Sequence, residues 1–259
     1  MLHEVKFDPN NFKKCVNKLF HLWENDKNKV FVLRSEKTVK NVKEFYNNIL
    51  NYLGTPMKLG ESVYIGDRNH QRDGSIWTEV RNDNSYIDAY RHSQNEQPLH
   101  TDGSYISTYP SSTLMACVRN EVEGGETIFV DSVDIYNTLK NDNKILLNFL
   151  ISKKIVHERS GDKRRDYVLK AINDDIFINW NYFCLSLDVN DEEKNMIDSF
   201  QDLLLHSKNI RNKTLAVHLD QGDSVLWKDN YCLHGRNSFK AKKNSDRFLW
   251  KCAIDIALF

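Results

Sequence analysis

The sequence predicts an α+β protein, a β core with helical supports, folded as one domain. Three observations carry this reading. Apolar residues at helical spacing gather within residues 1–60, whereas apolar runs of strand length gather beyond residue 110. With four Pro and ten Gly among 259 residues, no repeat, low-complexity tract or flexible linker divides the chain. A β-rich domain can run to ~200–250 residues around one core. Residues 1–259 are therefore read as a single domain, 1–60 mainly helical support and 61–259 the core with helical and loop insertions.

Phe12, Cys15, Val16, Leu19, Phe20 and Trp23 recur at the helical period over residues 11–24, a stripe that needs a surface to cover. "VFVLRS" (30–35) is a short buried strand. A second helix begins at Thr38 and aligns Val39, Val42, Tyr46, Ile49 and Leu53 on one face. Gly54 and Pro56 stop it, because glycine tolerates the helix-ending conformation and proline cannot continue a helix. Residues 61–96 are polar and weakly periodic, punctuated by Tyr64, Trp77, Tyr86 and Tyr90. Strands resume at 113–118 and 127–131, followed by helices from Ser132 to Lys140 and over 143–152. Residues 167–180 read as two strands about an Asn-Asp-Asp turn, 190–207 as a charged helix, and "KTLAVHL", "DSVLWK" and "RFLWKCAIDI" as strands.

Lys+Arg and Asp+Glu number 36 each, so the chain carries no net charge and lacks the basic footprint of a nucleic-acid or acidic-membrane binder. A small-molecule partner fits better. The N-terminus shows no basic-then-apolar leader, and no apolar run approaches the ~20 residues that span a bilayer. Cys15, Cys117, Cys184, Cys232 and Cys252 are scattered, odd in number and without a C-x-x-C pair, and read as reduced, packed thiols. These features point to the cytoplasm.

The chemistry centres on "QPLHTDGSY" (97–105). On a strand, residues i and i+2 share a face, so His100 and Asp102 point the same way. One imidazole and one carboxylate are two thirds of the 2-His-1-carboxylate triad, which leaves positions on Fe(II) open. Gly103 keeps the wall beside such a metal free of a side chain. The triplet alone decides little, since His218-Leu219-Asp220 repeats it. Asp220, however, leads into Gln221-Gly222-Asp223, where its carboxylate is expected to cap a turn. His100–Asp102 has different company: "EGGETIFVDS" (123–132), then "LDQGDSVLWKDNYCLHGRNSF" (219–239) with His234, then Arg247. No helix starts directly after the two glycines, so they are not a phosphate cradle.

These blocks together resemble the taurine dioxygenase-like Fe(II)/2-oxoglutarate-dependent dioxygenases, over residues 97–132 and 219–252. The resemblance implies a double-stranded β-helix, a cupin-like jelly-roll with the N-terminal helices against one face. It implies Fe(II) held by His100, Asp102 and His234, with 2-oxoglutarate contacted by Thr127 and gripped at its far carboxylate by Arg247. A planar, permanently charged fork suits that carboxylate better than a lysine. Arg236 either braces the same oxoacid or pairs with an acid such as Asp229. The implied reaction consumes O2 and 2-oxoglutarate, releases succinate and CO2, and hydroxylates an unactivated C–H bond of a small polar metabolite such as an amino acid. Because halogenating relatives lack the carboxylate, Asp102 argues for hydroxylation over chlorination; desaturation or cyclisation would use the same residues.

Two rivals stand beside this reading. A cupin-like metal-binding sensor would have no need of Arg247 and Thr127, and a metal-dependent hydrolase would show no dependence on 2-oxoglutarate. His3, His21, His70, His92, His157, His206 and His218 are read as surface or satisfied core residues. His70 and Arg72 could belong to a substrate-contacting loop, and Trp180, Arg164 and Arg165 are read as packing or solvated charge. Oligomeric state is open.

Overall fold

Alternation along one short strand sets the layering. In the computed structural model, residues 1–25, 27–58, 75–86, 89–159, 161–173, 175–186 and 188–256 are described. The strand at 30–35 sends Phe31 and Leu33 into one apolar cluster and Val30 and Val32 into another, as successive strand side chains must.

Two sheets form the frame. Their strands are β1 (Leu2–Phe7), β2 (Val30–Ser35), β3 (Gly54–Pro56), β4 (Thr78–Arg81), β5 (Gln97–His100), β6 (Ser112–Asn120), β7 (Thr127–Asp131), β8 (Leu215–Val217), β9 (Ser224–Lys228), β10 (Cys232–Arg236) and β11 (Arg247–Ile256). The larger sheet runs β1-β2-β9-β6-β11-β3, with β4 also paired to β11; the smaller runs β8-β7-β10-β5. Within them only β1 and β2 pair in parallel.

Helices α1 (Phe12–Asn25) and α2 (Val42–Leu53) cover the outer face of the larger sheet, where Leu19, Tyr46, Ile49 and Leu50 meet Phe31, Leu33, Leu226 and Ile254. Twelve residues are too few for a stable isolated helix. Burial of Val42, Tyr46, Ile49, Leu50 and Leu53, at ~1.5–3 kcal/mol for a large apolar side chain, is what holds α2. Between the sheets, Val30, Val32, Met115, Trp227 and Leu249 meet Phe129, Val217 and Cys232. On the far side of the smaller sheet, Leu99, Val130 and Leu233 pack against α3 (Ser132–Asp142), α4 (Lys144–Ser152) and α5 (Asp191–His206). The order of layers is helices, sheet, sheet, helices. Among the described residues, no helix is long and apolar enough to cross a membrane.

The expected elements form with shifted limits. α2 starts after Asn41 rather than at Thr38, because the Asn41 side chain accepts the Glu44 N–H and so caps the helix there. Gly54 and Pro56 end α2 as expected, then join the sheet edge as β3. Leu169–Ile172 and Asp175–Ile178 form the expected hairpin. Strand β1, strand β4 within the polar stretch and the hairpin Lys154–Arg159/Asp162–Tyr167 were not legible. The last is "KIVHER" against "DKRRDY", in which charge masks the alternation that marks a strand.

Candidate metal centre

Polar residues interrupt the apolar layer between the sheets. On β10, Cys232, His234 and Arg236 alternate onto the inner face; on β7, Thr127 and Phe129 do the same. On β11, Arg247 and Lys251 share a face with Leu249, which lies in the inter-sheet core. His100, Thr127, His234, Arg236 and Arg247 are all buried.

His234 lies directly across from His100 on the paired antiparallel strands, and their ring centroids are 4.2 Å apart. Asp102 reaches them by a different route from the one expected. β5 ends at His100, so Asp102 is not on a strand. Thr101 is pinned through its N–H to the Trp180 carbonyl (2.6 Å), and the Asp102 N–H donates to Asp229 Oδ2 (2.9 Å). A turn, not a strand period, brings the carboxylate to the histidines. The role expected of Gly103 is also corrected. Its φ is +54°, and a Cβ there would stand 2.1 Å from a ring carbon of Tyr109. The glycine makes room for that ring instead of leaving a bare wall.

One donor atom from each of His100, Asp102 and His234 lies within 4.8 Å of the others. Asp102 Oδ1 is 3.9 Å from His100 Nε2, and Oδ2 is 3.7 Å from His234 Nε2. His100 Nδ1 is 2.9 Å from the Pro98 carbonyl, which selects the tautomer with the proton on Nδ1 and the lone pair on Nε2. Burial pushes both imidazoles down to about 4, so each is neutral at physiological pH. Burial works against the Asp102 charge, yet Lys251 and the two histidines hold its carboxyl well below the ordinary range. Two neutral imidazole nitrogens and one ionised carboxylate are the donor set of a facial triad, so these residues fit a divalent first-row metal.

Three neighbours of this cluster were not found by sequence reasoning. Lys251 Nζ donates to both Asp102 oxygens, at 2.8 and 3.0 Å. The Gln97 amide lies 3.2 Å from His100 Nε2. Asp229, fully buried, accepts from Asp102 N–H and from Trp227 Nε1–H (2.8 Å). Burial and the Asp102 charge push Asp229 up to about 8. The i, i+4 step from Arg247 to Lys251 on one strand face was the available signal for the lysine.

A second cluster adjoins the first. The Arg247 guanidinium is buried, donates through Nε to the Gly125 carbonyl (3.1 Å) and pairs with no acid among the described residues. Arg236 and Arg247 both reach the Phe239 ring, their Cζ atoms 5.0 and 5.6 Å from its centroid. Burial lowers Arg247 to about 10; burial and the neighbouring Arg247 lower Arg236 to about 9. Thr127 faces Arg236 across the β7–β10 pair. Arg236 does not pair with Asp229. Its guanidinium donates to the carbonyls of Tyr90, Ser93 and Asn95 and so clamps that loop.

The competing triplet is a surface feature: His218 and Asp220 side chains are 46% and 82% exposed. Asp223, not Asp220, ties the following turn, accepting from the Asp220 and Ser35 N–H groups and from Arg34. His92 is buried with Nδ1 against the Arg81 carbonyl, a satisfied core residue, whereas His157 is buried with Nε2 accepting the Asn181 N–H and Nδ1 making no hydrogen bond among the described residues. Trp180 is fully buried and anchors Thr101, Arg164 pairs with Asp166, and Arg165 is exposed. His70 and Arg72 lie outside the described residues.

Residues 26–253 match the family model described as "Taurine catabolism dioxygenase TauD, TfdA family". The chain is 26% identical over 186 residues to dioxygenase str8 of Strobilurus tenacellus, a match covering 68% of this chain and 43% of that protein. The chain thus matches less than half of that relative's length. Among solved structures, the PvcB protein of Pseudomonas aeruginosa superposes with a TM-score of 0.68 at 17% identity, covering 98% of this chain and 86% of that one. The non-heme iron oxygenase OrfP, in complex with Fe and alpha-ketoglutaric acid, gives 0.67 at 14% identity (94% and 80%). Asparagine oxygenase with Fe(II), 3-hydroxyasparagine and succinate gives 0.67 at 10% identity (94% and 79%). At these identities the likeness is one of fold.

Proposed function

The chain belongs to the taurine catabolism dioxygenase TauD, TfdA family, and from that premise we propose that it is an Fe(II)/2-oxoglutarate-dependent oxygenase hydroxylating a small polar metabolite. The observation that carries this is the convergence of His100, Asp102 and His234 donor atoms within 4.8 Å, between the sheets. The substrate class we infer is an amino acid or a derivative. Its support is likeness of fold to OrfP and asparagine oxygenase, whose structures hold hydroxylated arginine and hydroxyasparagine.

In this reading His100, Asp102 and His234 hold Fe(II). The iron, with 2-oxoglutarate and O2, supplies the oxidising power for C–H hydroxylation as the oxoacid is converted to succinate and CO2. The chain supplies position and dryness. Arg247, buried without an acid among the described residues, offers a bidentate fork to the far carboxylate of the oxoacid, and Thr127 adds a hydroxyl. Arg236 adds positive charge beside Arg247 while holding the 90–95 loop. Two buried cations on one ring are costly unless an anion joins them, which favours the oxygenase over a sensor that binds metal alone.

We read the two packed sheets as the double-stranded β-helix and residues 1–259 as one domain, on the strength of the continuous layer order. Five buried cysteines, none of them in a disulfide, favour the cytoplasm. The test is anaerobic addition of Fe(II) and 2-oxoglutarate, expected to give a weak visible charge-transfer band. Loss of the band in Asp102→Ala and His234→Ala, and its retention in Asp220→Ala, is the expected pattern. A wild type without the band overturns the proposal. Succinate release across a panel of amino acids and small amines then identifies the substrate.

A further inference from the structure

We propose that Asp229 is a positioning residue that orients two of the three metal ligands at once, an inference resting on the oxygenase reading above. The ligands come from separate segments: Asp102 from the turn after β5, His234 from the middle of β10. Nothing in the chain direction couples them. Asp229 does.

Its carboxylate spans the gap between them. Oδ2 accepts the Asp102 backbone N–H at 2.9 Å, which fixes the turn that aims the Asp102 side chain. Oδ1 accepts the Trp227 Nε1–H at 2.8 Å and lies 3.2 Å from His234 Nδ1. Asp229 itself is held from behind, its N–H donating to the Ser111 carbonyl at 2.8 Å. With no exposed surface, the carboxylate has no solvent to choose instead of these partners.

The need for Asp229 follows from imidazole chemistry. For His234 Nε2 to present a lone pair toward Asp102 and the metal, Nδ1 must carry the proton. A buried N–H requires an acceptor. His100 has one in the Pro98 carbonyl. His234 Nδ1 is buried and makes no hydrogen bond among the described residues, and Asp229 Oδ1 is the carboxylate oxygen beside it, close but out of line. A small ring rotation brings the N–H onto that oxygen. The Trp227 ring, 4.8 Å from the His234 ring, limits the rotation to a narrow range.

The experiment compares anaerobic Fe(II) titrations of the wild type, Asp229→Asn and Trp227→Phe. Loss of a carboxylate behind a ligating histidine typically weakens metal binding ~10–100-fold. Asp229→Asn is expected to fall in that range with an unchanged near-UV circular dichroism spectrum. Trp227→Phe, which removes a donor but leaves the carboxylate, should stay within about threefold of wild type. A second readout needs no variant. In the Zn(II)-loaded wild type, nitrogen NMR should find a proton on His234 Nδ1 that exchanges slowly with water. Wild-type Fe(II) affinity in Asp229→Asn overturns the inference. If that variant fails to fold, a rapidly exchanging Nδ1 proton in the wild type overturns it equally. Failure of the wild type to bind Fe(II) would instead remove the metal-site reading on which the inference stands, so the two failures are distinct.

Discussion

Lys251 donates from a single ammonium to both carboxylate oxygens of Asp102, at 2.8 and 3.0 Å. A cation thus already rests on the one charged ligand of the triad. The carboxylate is partly buried, with its side chain 11% exposed against 23% for Lys251.

Removing that ammonium should destabilise the metal-free protein and favour the metal. Lys251→Met leaves Asp102 without its close cation, at a cost of about 2 kcal/mol, between the exposed and fully buried limits for an ion pair. Urea denaturation of the apo protein should register the loss. Saturating Fe(II) or Zn(II) should restore more stability to the variant than to the wild type. Equal metal-induced stabilisation of both proteins would contradict the expectation.

Metal-free stability should fall on mild acidification. His100, His157 and His234 are lowered to about 4 by burial, against an ordinary value near 6.5. Between those limits the unfolded chain binds more protons at these sites than the folded one. Their contribution is therefore complete above pH ~6.5 and is lost as pH falls toward 4. Asp229, raised to about 8, acts in the opposite sense over the same range and cancels the effect of about one imidazole. From these four groups the net slope is roughly 2.7 kcal/mol per pH unit at its steepest, about two protons at ~1.4 each, and His92, also lowered by burial, adds in the same sense. Denaturation of apo protein at pH 7 and pH 5 measures it; a flat profile would refute it.

Arg247 and Arg236 should separate in function. Arg247→Gln removes a buried fork that no acid among the described residues pairs, and loss of one partner of a desolvated charge pair costs about 2–3 kcal/mol. That corresponds to ~30–150-fold weaker 2-oxoglutarate binding, read by titrating the charge-transfer band. Arg236→Gln loses charge-assisted bonds to three loop carbonyls. Its main effect should be a loss of stability of about 3 kcal/mol, seen as a lower Tm.

Gly103→Ala tests the packing beside Asp102. At φ +54° an L side chain costs ~1–2 kcal/mol, and overlap with the Tyr109 ring adds about 1–3 kcal/mol. In a Tyr109→Ala background only the backbone cost should remain. Denaturation of the four proteins of this cycle checks the difference; equal penalties in both backgrounds would exclude the ring contact as the cause.

The local pattern made much of this molecule legible. The stripe Cys15, Val16, Leu19, Trp23 became α1, and "VFVLRS" became β2, because each pattern has a single period that burial can satisfy. His100 and Asp102 were visible as a pair, although the physical reason for their shared direction was a turn held by Trp180 and Asp229. For Lys251 the signal was its place four residues past Arg247 on one strand face, while Gln97 gave none, since a glutamine in an amphipathic strand reads as solvent-facing. The hairpin at 154–167 was hidden by its charges.

By itself the sequence determined the residue types, their order and the periods that make helices and strands, all properties of near neighbours in the chain. Sequence context favoured one of the two H-x-D triplets, and tertiary structure decided how that one comes to be buried. His100 enters the inter-sheet layer because β5 pairs with β10 in the register that sets it opposite His234, whereas His218 and Asp220 lie exposed before a tight turn. Register is a long-range choice, settled by how both sheets bury their faces together, and no short window of residues contains it.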